Sequence, residues 1–333
     1  MLFTLSLPLL KSAFDLITVT FISVLIILSV LSLTFIFHLH FKSKILKHLQ
    51  GFNSLWTVRF LLVLFIFLWA ITELLRLPFF RRKYLNIFFP SLTISHQVNL
   101  CKVHIILSLG FFEPAFLITL IFLLNASVKM KTPNDRWAIT FVILTCLPIV
   151  TLQAMLIFFD PFKNQVPWLF HQTTVVFWDD YGTETILCAY PFLNCAVFAG
   201  FGCVYSTWFL FSCWRVLSLA INKGLRVRIY VLASAVLIAL PLQVISLGFT
   251  ALWSLHEEVY NIVSLMVFLG AFCCAAIGEG ILVIKPISDA LDAGGFCCPR
   301  DVGCRHKTLL LKNREGEDLL VKNRVTREGE GCV

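Results

Sequence analysis

Charged side chains are scarce in this sequence. Asp, Glu, Lys and Arg make up 14% of its 333 residues, against about 25% in an ordinary soluble protein. Hydrophobic residues make up 59%, and phenylalanine alone occurs 33 times. Up to residue 285 this composition leaves no room for a soluble catalytic domain. The formal net charge is +8, but the basic residues fall in loops between apolar stretches, so we predict no nucleic-acid partner.

Motifs that carry catalysis or bind cofactors are also missing. No P-loop, GxGxxG or GxSxG segment occurs, and the His256-Glu257-Glu258 segment lacks the second histidine of a zincin motif. The histidines of the predicted outer side do not follow the His, Ser and Asp patterns of seven-pass lipid hydrolases. The sequence therefore predicts no enzyme, no cofactor and no metal site.

Seven long apolar stretches are what the sequence has instead. Each is at least about 20 residues long, which is enough to cross a hydrocarbon core of ~30 Å as a helix. We therefore predict an all-α integral membrane protein, with a seven-helix bundle over residues 1–285 and a charged, partly disordered tail over 286–333. The predicted spans are 14–39, 58–79, 103–128, 137–159, 186–214, 229–253 and 259–284.

The positions of Lys and Arg predict the orientation, because cytoplasmic loops carry an excess of both. Loops 1, 3 and 5 and the tail are rich in basic residues, and loops 4 and 6 are acidic. This pattern places the N-terminus outside or in a lumen and the C-terminus in the cytoplasm. Arg81, Arg82 and Lys83 in loop 2 oppose it, and a missed or re-entrant span there would change the assignment. Whether the membrane is the plasma membrane or an endomembrane does not follow from the sequence.

Cysteines fall at two informative places. Cys101 and Cys188 lie at the predicted outer ends of spans 3 and 5, where a disulfide would clamp loop 4 across the bundle and stabilise it by several (~3–5) kcal/mol. Two free thiols at helix ends are the alternative. Cys297, Cys298 and Cys304 follow span 7 and are candidate palmitoylation sites, with zinc ligation or unmodified thiols as alternatives.

Three carboxylates lie inside predicted spans, where a charged group is costly and marks a functional candidate. Glu73 precedes Arg76 by one helical turn, so an intrahelical ion pair is the favoured explanation for both. Glu113 precedes Pro114 in mid-span, and Glu279 lies between two glycines that allow another helix to approach closely. We predict Glu113 and Glu279 as contacts for a ligand or an ion. Other intramembrane polar residues, predicted to hydrogen-bond between helices, are Asn125, Gln153, Asn194 and Gln243.

Several segments form a recognisable set: WAITELLRLPFFRR at 69–82, NLCK at 99–102, LGFFEP at 109–114 and INKGLR at 221–226, together with the paired cysteines of span 7. This set resembles a group of uncharacterised seven-pass proteins of land plants. The similarity covers spans 2 to 7. It implies a plant origin and seven spans, and it implies no activity. The sequence lacks the Asp/Glu-Arg-Tyr and Asn-Pro-x-x-Tyr motifs of rhodopsin-like receptors.

The leading hypothesis is a receptor-like or signalling membrane protein with an outer cavity capped by loop 4. In it, Glu113 and Glu279 contact a ligand or form a switch, and loops 3 and 5 and the tail present a basic face to cytoplasmic protein partners. One alternative is a transporter or channel that uses the same carboxylates. The other is a scaffold that recruits cytoplasmic partners to a membrane.

Overall fold

The computed structural model describes residues 7–45, 55–81, 93–126, 135–159, 167, 172–178, 184–219, 223–252 and 257–289. Contacts divide the chain into the units Met1–Ser288 and Asp289–Val333, and the elements given below lie in the first. The candidate palmitoylation sites Cys297, Cys298 and Cys304 lie outside the described residues.

The described residues are overwhelmingly helical, and seven of the helices are long and apolar enough to cross a membrane. The prediction of a helical fold with seven such helices is confirmed. A one-turn helix, Pro78–Phe80, follows the second of them. The seven are α1 (Leu7–Ile45), α2 (Trp56–Arg76), α3 (Ile94–Ala126), α4 (Asp135–Phe158), α5 (Phe192–Leu219), α6 (Lys223–Leu252) and α7 (Glu257–Glu279, continued as a π-helix over Gly280–Ile284).

One element between α4 and α5 is not helical. Strands β1 (Thr174–Trp178) and β2 (Glu184–Cys188) form an antiparallel hairpin in which Thr174 pairs with Cys188. For this reason α5 begins at Phe192 rather than at residue 186, and Cys188 lies in a strand rather than in a helix. Pro191 lies directly before α5. Proline suits a helix start, because a backbone N–H at that position would have no acceptor within the helix.

Helix α3 is the central helix of the bundle. Among its most apolar 18 residues, 83% are buried, against 22% in α4. It packs against α2, α4, α5 and α7, while α1 packs on α2 and α7, and α6 on α5 and α7. A side chain on α3 can therefore contact several helices at once, and polar residues of this helix are the first candidates for a functional site.

A π-helical segment, Ile106–Phe112, interrupts α3. Pro114 favours this interruption, because it has no N–H to donate and its ring would clash with the carbonyl four residues earlier in an α-helix. The N–H of Glu113 donates to the carbonyl of Ser108, five residues back. Within this segment, Gly110 lets α4 approach closely, because a Cβ there would lie 3.3 Å from Cα of Val150.

Candidate functional site

A disulfide ties the hairpin to the central helix. It joins Cys101 of α3 to Cys188 of β2, with their Cα atoms 5.2 Å apart. The two cysteines pack with Ile186 and Val98 in a small buried apolar cluster. This cluster marks one end of the bundle, the hairpin end.

Arg81 binds the same strand from the chain segment after α2. Its guanidinium donates to the carbonyl of Ile186 and lies 3.7 Å from Sγ of Cys101. The side chain is 3% exposed. This arrangement accounts for one of the basic residues that oppose the predicted orientation, because Arg81 is buried against the hairpin. Arg82 and Lys83 lie outside the described residues.

A buried ionic cluster lies beneath the hairpin. Glu73 and Arg76 form the ion pair expected from their spacing, with 3.0 Å between Oε2 and Nε. Nε2 of His104 lies 3.6 Å from Oε1 of Glu73, and Nη1 of Arg76 donates to Oγ of Ser264 at 2.6 Å. The exposed fractions of Glu73, Arg76 and His104 are 3%, 8% and 3%. The cluster joins α2, α3 and α7.

Two tyrosines connect this cluster to the hairpin. Tyr260 of α7 donates its hydroxyl to the carbonyl of Cys188. The hydroxyl of Tyr190 lies 3.4 Å from Nε2 of His104, and its ring centroid lies 5.8 Å from Cζ of Arg76. Burial raises the pKa of Tyr190 well above its ordinary value, although the charge of Arg76 acts in the opposite direction. Tyr190 is therefore a neutral phenol that can donate a hydrogen bond.

The recess at this end is small in the part of the chain that the structure describes. Its volume is about 40 Å³, and Asp15, Arg76, Tyr260 and Ser264 are among the residues that line it. Sites for organic ligands are usually about 300–1,000 Å³, whereas a water occupies about 30 Å³. This recess therefore has room for a water or a small ion, and most residues of the loop predicted to cap it lie outside the described ranges.

Glu113 lies deeper, at the junction of α2, α3 and α6. Its Oε1 accepts hydrogen bonds from Nε1 of Trp69 at 3.2 Å and Oγ of Ser108 at 2.9 Å, and its Oε2 accepts one from Nε2 of Gln243 at 2.6 Å. The side chain is 3% exposed. All three donors are neutral, so a change in the charge of this carboxyl group would alter its contacts with α2 and α6 and the contact within α3.

Close packing of α7 on α6 positions Gln243 for this contact. A Cβ on Gly270 would lie 2.9 Å from Cβ of Gln243 and 3.1 Å from the carbonyl oxygen of Ala239. The ring of Trp69 stacks on Phe268 of α7, with centroids 5.7 Å apart. The backbone and one ring of α7 thus hold two of the donors to Glu113 in place.

Glu279 joins α7 to α1. Oγ of Ser29 donates to its Oε2 at 3.2 Å, and the Ser32 hydroxyl lies near the same group. Glu279 is fully buried. The neighbouring Gly278 faces α3, because a Cβ there would lie 3.0 Å from Cδ1 of Leu120. Glu113 and Glu279 each border a π-helical segment, Glu113 at its end and Glu279 at its start, and such segments are frequent at functional sites.

The other polar residues contact neighbouring helices. Nε2 of Gln153 donates to the carbonyl of Asn194 at 3.0 Å, and Nδ2 of Asn194 donates to both oxygens of Gln153. Nδ2 of Asn125 donates to Oγ of Ser212 at 3.2 Å. Among the described residues, no three His, Cys, Asp or Glu side chains converge on a possible metal position.

Most of the groups that contact the carboxylates are not evident from the sequence. One signal was available: Trp69 and Glu73 are four residues apart, as are His104 and Ser108, so each pair lies on one helix face. These two faces meet in the structure and form a polar seam between α2 and α3. Residues that sequence reasoning did not assign to the site are Ser29, Trp69, His104, Ser108, Tyr190, Tyr260 and Ser264.

Seven apolar helices of membrane-spanning length, with buried carboxylates at their junctions, define the class as a polytopic helical protein compatible with membrane insertion. Within that class, the chain belongs to the family described as uncharacterised conserved protein UCP031277, whose model matches residues 6–296. The match extends over all seven helices. A search of the curated proteins finds no match to the chain. The resemblance to plant seven-pass proteins stays a prediction, since the family description names neither a source nor a topology.

Proposed function

We propose that the chain is an integral membrane protein of a receptor-like, signalling type. The observation that carries the proposal is the connection between the hairpin and three parts of the bundle. The disulfide links β2 to α3, Arg81 links it to the segment after α2, and Tyr260 links it to α7. A displacement of the hairpin would therefore act on α3, on α7 and on the segment after α2. The proposal includes no catalytic step.

The hairpin end is the outer or lumenal end in this proposal. A disulfide persists in oxidising compartments outside the cytosol, and the hairpin end carries one. Basic residues at the opposite end include Arg136 of α4, Arg215 of α5 and Lys223 of α6, as expected for a cytoplasmic side. Together with the tail, these loops would present a basic surface to cytoplasmic protein partners.

Glycosylation mapping tests this orientation. Asn-x-Ser/Thr acceptor sites are inserted one at a time between residues 81 and 93, 178 and 184, 126 and 135, and 219 and 223. Acceptors are modified on the lumenal side. The first two insertions, in 81–93 and 178–184, are therefore expected to increase the apparent mass of the protein in a way that endoglycosidase reverses. The last two, in 126–135 and 219–223, are expected to leave it unchanged. Modification of the last two sites without that of the first two would overturn the orientation. Modification of the hairpin site without that of the 81–93 site would overturn the seven-span arrangement.

Within the bundle, Glu113 and Glu279 are proposed as switch residues rather than as ligand contacts. Both are buried, and the carboxyl oxygens of Glu113 accept hydrogen bonds from donors on α2, α3 and α6. The small recess at the hairpin end does not include either of them. A signal would therefore reach them through helix movement, with the hairpin as its origin.

Coupling between the two ends is the critical property of a receptor. Spin labels at Leu225 of α6 and Thr140 of α4, both exposed near the opposite end, report the separation of these helices. The labelled protein has Cys203, Cys273 and the tail cysteines Cys297, Cys298, Cys304 and Cys332 replaced. Tyr260→Phe removes the hydroxyl that binds the hairpin, and Glu113→Gln removes the buried charge. Each is expected to shift the measured distance by about 2 Å or more, the scale of known helix shifts, or to add a second population. Ser234→Ala, an exposed hydroxyl deletion on α6, is the matched control.

A proton or ion transporter is the second candidate, and the depths of the carboxylates favour it. Glu73 contacts His104, and Glu113 lies nine residues further along α3, more than two turns deeper. Glu279 follows Gly278, which packs against Leu120 of α3. Leu120 lies seven residues, or about 10 Å, further along α3 than Glu113. Proton flux in reconstituted vesicles that is lost in Glu113→Gln and Glu279→Gln, with unchanged spin-label distances, would overturn the receptor proposal in favour of transport.

A further inference from the structure

An apolar groove lies between α3, α4 and α5 near the end opposite the hairpin. Its volume is about 330 Å³, which is within the range of small-molecule sites, about 300–1,000 Å³. Buried Ile118 and Ile121 of α3 are among its lining residues. Phe122, Trp137 and Phe141 form an aromatic wall, with Trp137 stacked on Phe141 at a centroid distance of 5.3 Å.

The open side of this groove consists of exposed aromatic residues. Trp137 is 56% exposed, Trp208 44% and Phe211 67%, and all three line the groove. In a membrane-spanning bundle such a side faces acyl chains. Tryptophan is also enriched where a membrane meets water, so its position fits a groove that begins at the bilayer surface.

One end of the groove is polar and positively charged. Arg215 of α5 lines it and is exposed, and beside it Asn125 donates to the hydroxyl of Ser212 at 3.2 Å. Arg136 directly precedes Trp137 on α4. An occupant that fits both parts has a long apolar portion and an anionic head with oxygen acceptors.

We propose that this groove binds an anionic phospholipid of the cytoplasmic leaflet, with an acyl chain against Phe122, Phe141 and Phe211 and the head group at Arg215. Basic pockets between membrane helices on the cytoplasmic side hold such head groups. The inference rests on the proposed membrane insertion and orientation, which glycosylation mapping checks separately. Charge complementarity at Arg215 favours this occupant over a zwitterionic lipid or an apolar helix of a partner.

Native mass spectrometry of the full-length, delipidated protein tests the proposal. The probes are phosphatidylserine and phosphatidylcholine with the same acyl chains, in equal amounts. Phosphatidylserine adducts are expected to exceed phosphatidylcholine adducts by about fivefold, the effect of one basic residue near a lipid surface. Arg215→Gln is expected to remove this preference. Lys223→Gln, an exposed basic residue at the same end of the bundle, is expected to leave it unchanged.

A second variant tests the apolar part of the groove. Ala126→Phe places a ring in the groove and is expected to remove adducts of both lipids. Equal binding of the two lipids to the wild type, or an equal loss in Arg215→Gln and Lys223→Gln, would overturn the site. Dimers in the wild type that disappear in Ala126→Phe would instead identify the groove as a contact between two copies and overturn the lipid proposal.

Photocrosslinking to the wild-type protein tests the site without a substitution, so a folding defect in a variant cannot affect the result. A phosphatidylserine with a photoactivatable acyl chain is reconstituted with the wild type, and the modified peptides are mapped. Adducts at or beside Phe122, Phe141 or Phe211 would support the proposal. Adducts confined to other lipid-facing helices would contradict it.

Discussion

Arg76→Met is expected to lower the free energy of unfolding by about 3–5 kcal/mol, the cost of leaving a buried charge without its partner. Methionine keeps much of the side-chain volume, so the loss comes from the charge. Glu73 would remain 3% exposed with no cation in place of the guanidinium now 3.0 Å away. Ser264 would also lose its hydrogen bond with Arg76. Denaturation of the purified protein in mixed micelles, followed by tryptophan fluorescence, measures the change.

A double-mutant cycle separates the ion pair from the rest of the effect. Glu73→Gln with Arg76→Met removes both charges, so the double variant is expected to be more stable than Arg76→Met alone. Arg136→Met is the matched control, because Arg136 is exposed on α4 and surface changes stay within about 0.5 kcal/mol. A loss in Arg76→Met no larger than in Arg136→Met would show that the ion pair does not stabilise the bundle.

Helix number and the Glu73–Arg76 pair could be predicted because both depend on local patterns. Apolar length alone identifies a membrane-spanning helix, and residues three apart on a helix face each other. The contacts of Glu113 could not be predicted in the same way. Its donors come from α2, α3 and α6, so their meeting depends on which helices are neighbours and how each is rotated.

The hairpin is a different case, because its signal was present in the sequence. The segments TVVFW and ETILC are rich in β-branched and aromatic residues, and Asp179, Asp180 and Gly182 between them are typical of a turn. The apolar run that starts at Ile186 hides this signal by merging β2 with α5. Pro114 was likewise visible, but whether a proline gives a kink or a π-helical segment depends on how neighbouring helices pack against it.

Replacing both Cys101 and Cys188 by alanine is expected to lower the free energy of unfolding by about 2–4 kcal/mol. The bond spans a sequence separation of 87 residues, and the chain-entropy model assigns about 4–5 kcal/mol to a loop of this size. Helices that stay inserted in a micelle leave the unfolded chain less free than a random coil, so the expected loss is smaller than the value from this model. Thermal unfolding of the purified double variant measures the loss.

The matched control is the double variant Cys203→Ala and Cys273→Ala, because both cysteines are free and exposed. It is expected to unfold within about 0.5 kcal/mol of the wild type. Without the disulfide, hydrogen bonds from Arg81 and Tyr260 to the carbonyls of Ile186 and Cys188 replace a covalent link as the attachment of β2. Because each such bond contributes only about 1 kcal/mol, the hairpin should detach before the helices separate. In the variant without the disulfide, protease should therefore cut between residues 167 and 191 at a lower temperature than the one at which the helical circular dichroism signal is lost. Cutting and unfolding at one temperature would contradict this order, and it would show that the hairpin and the helices unfold as one cooperative unit.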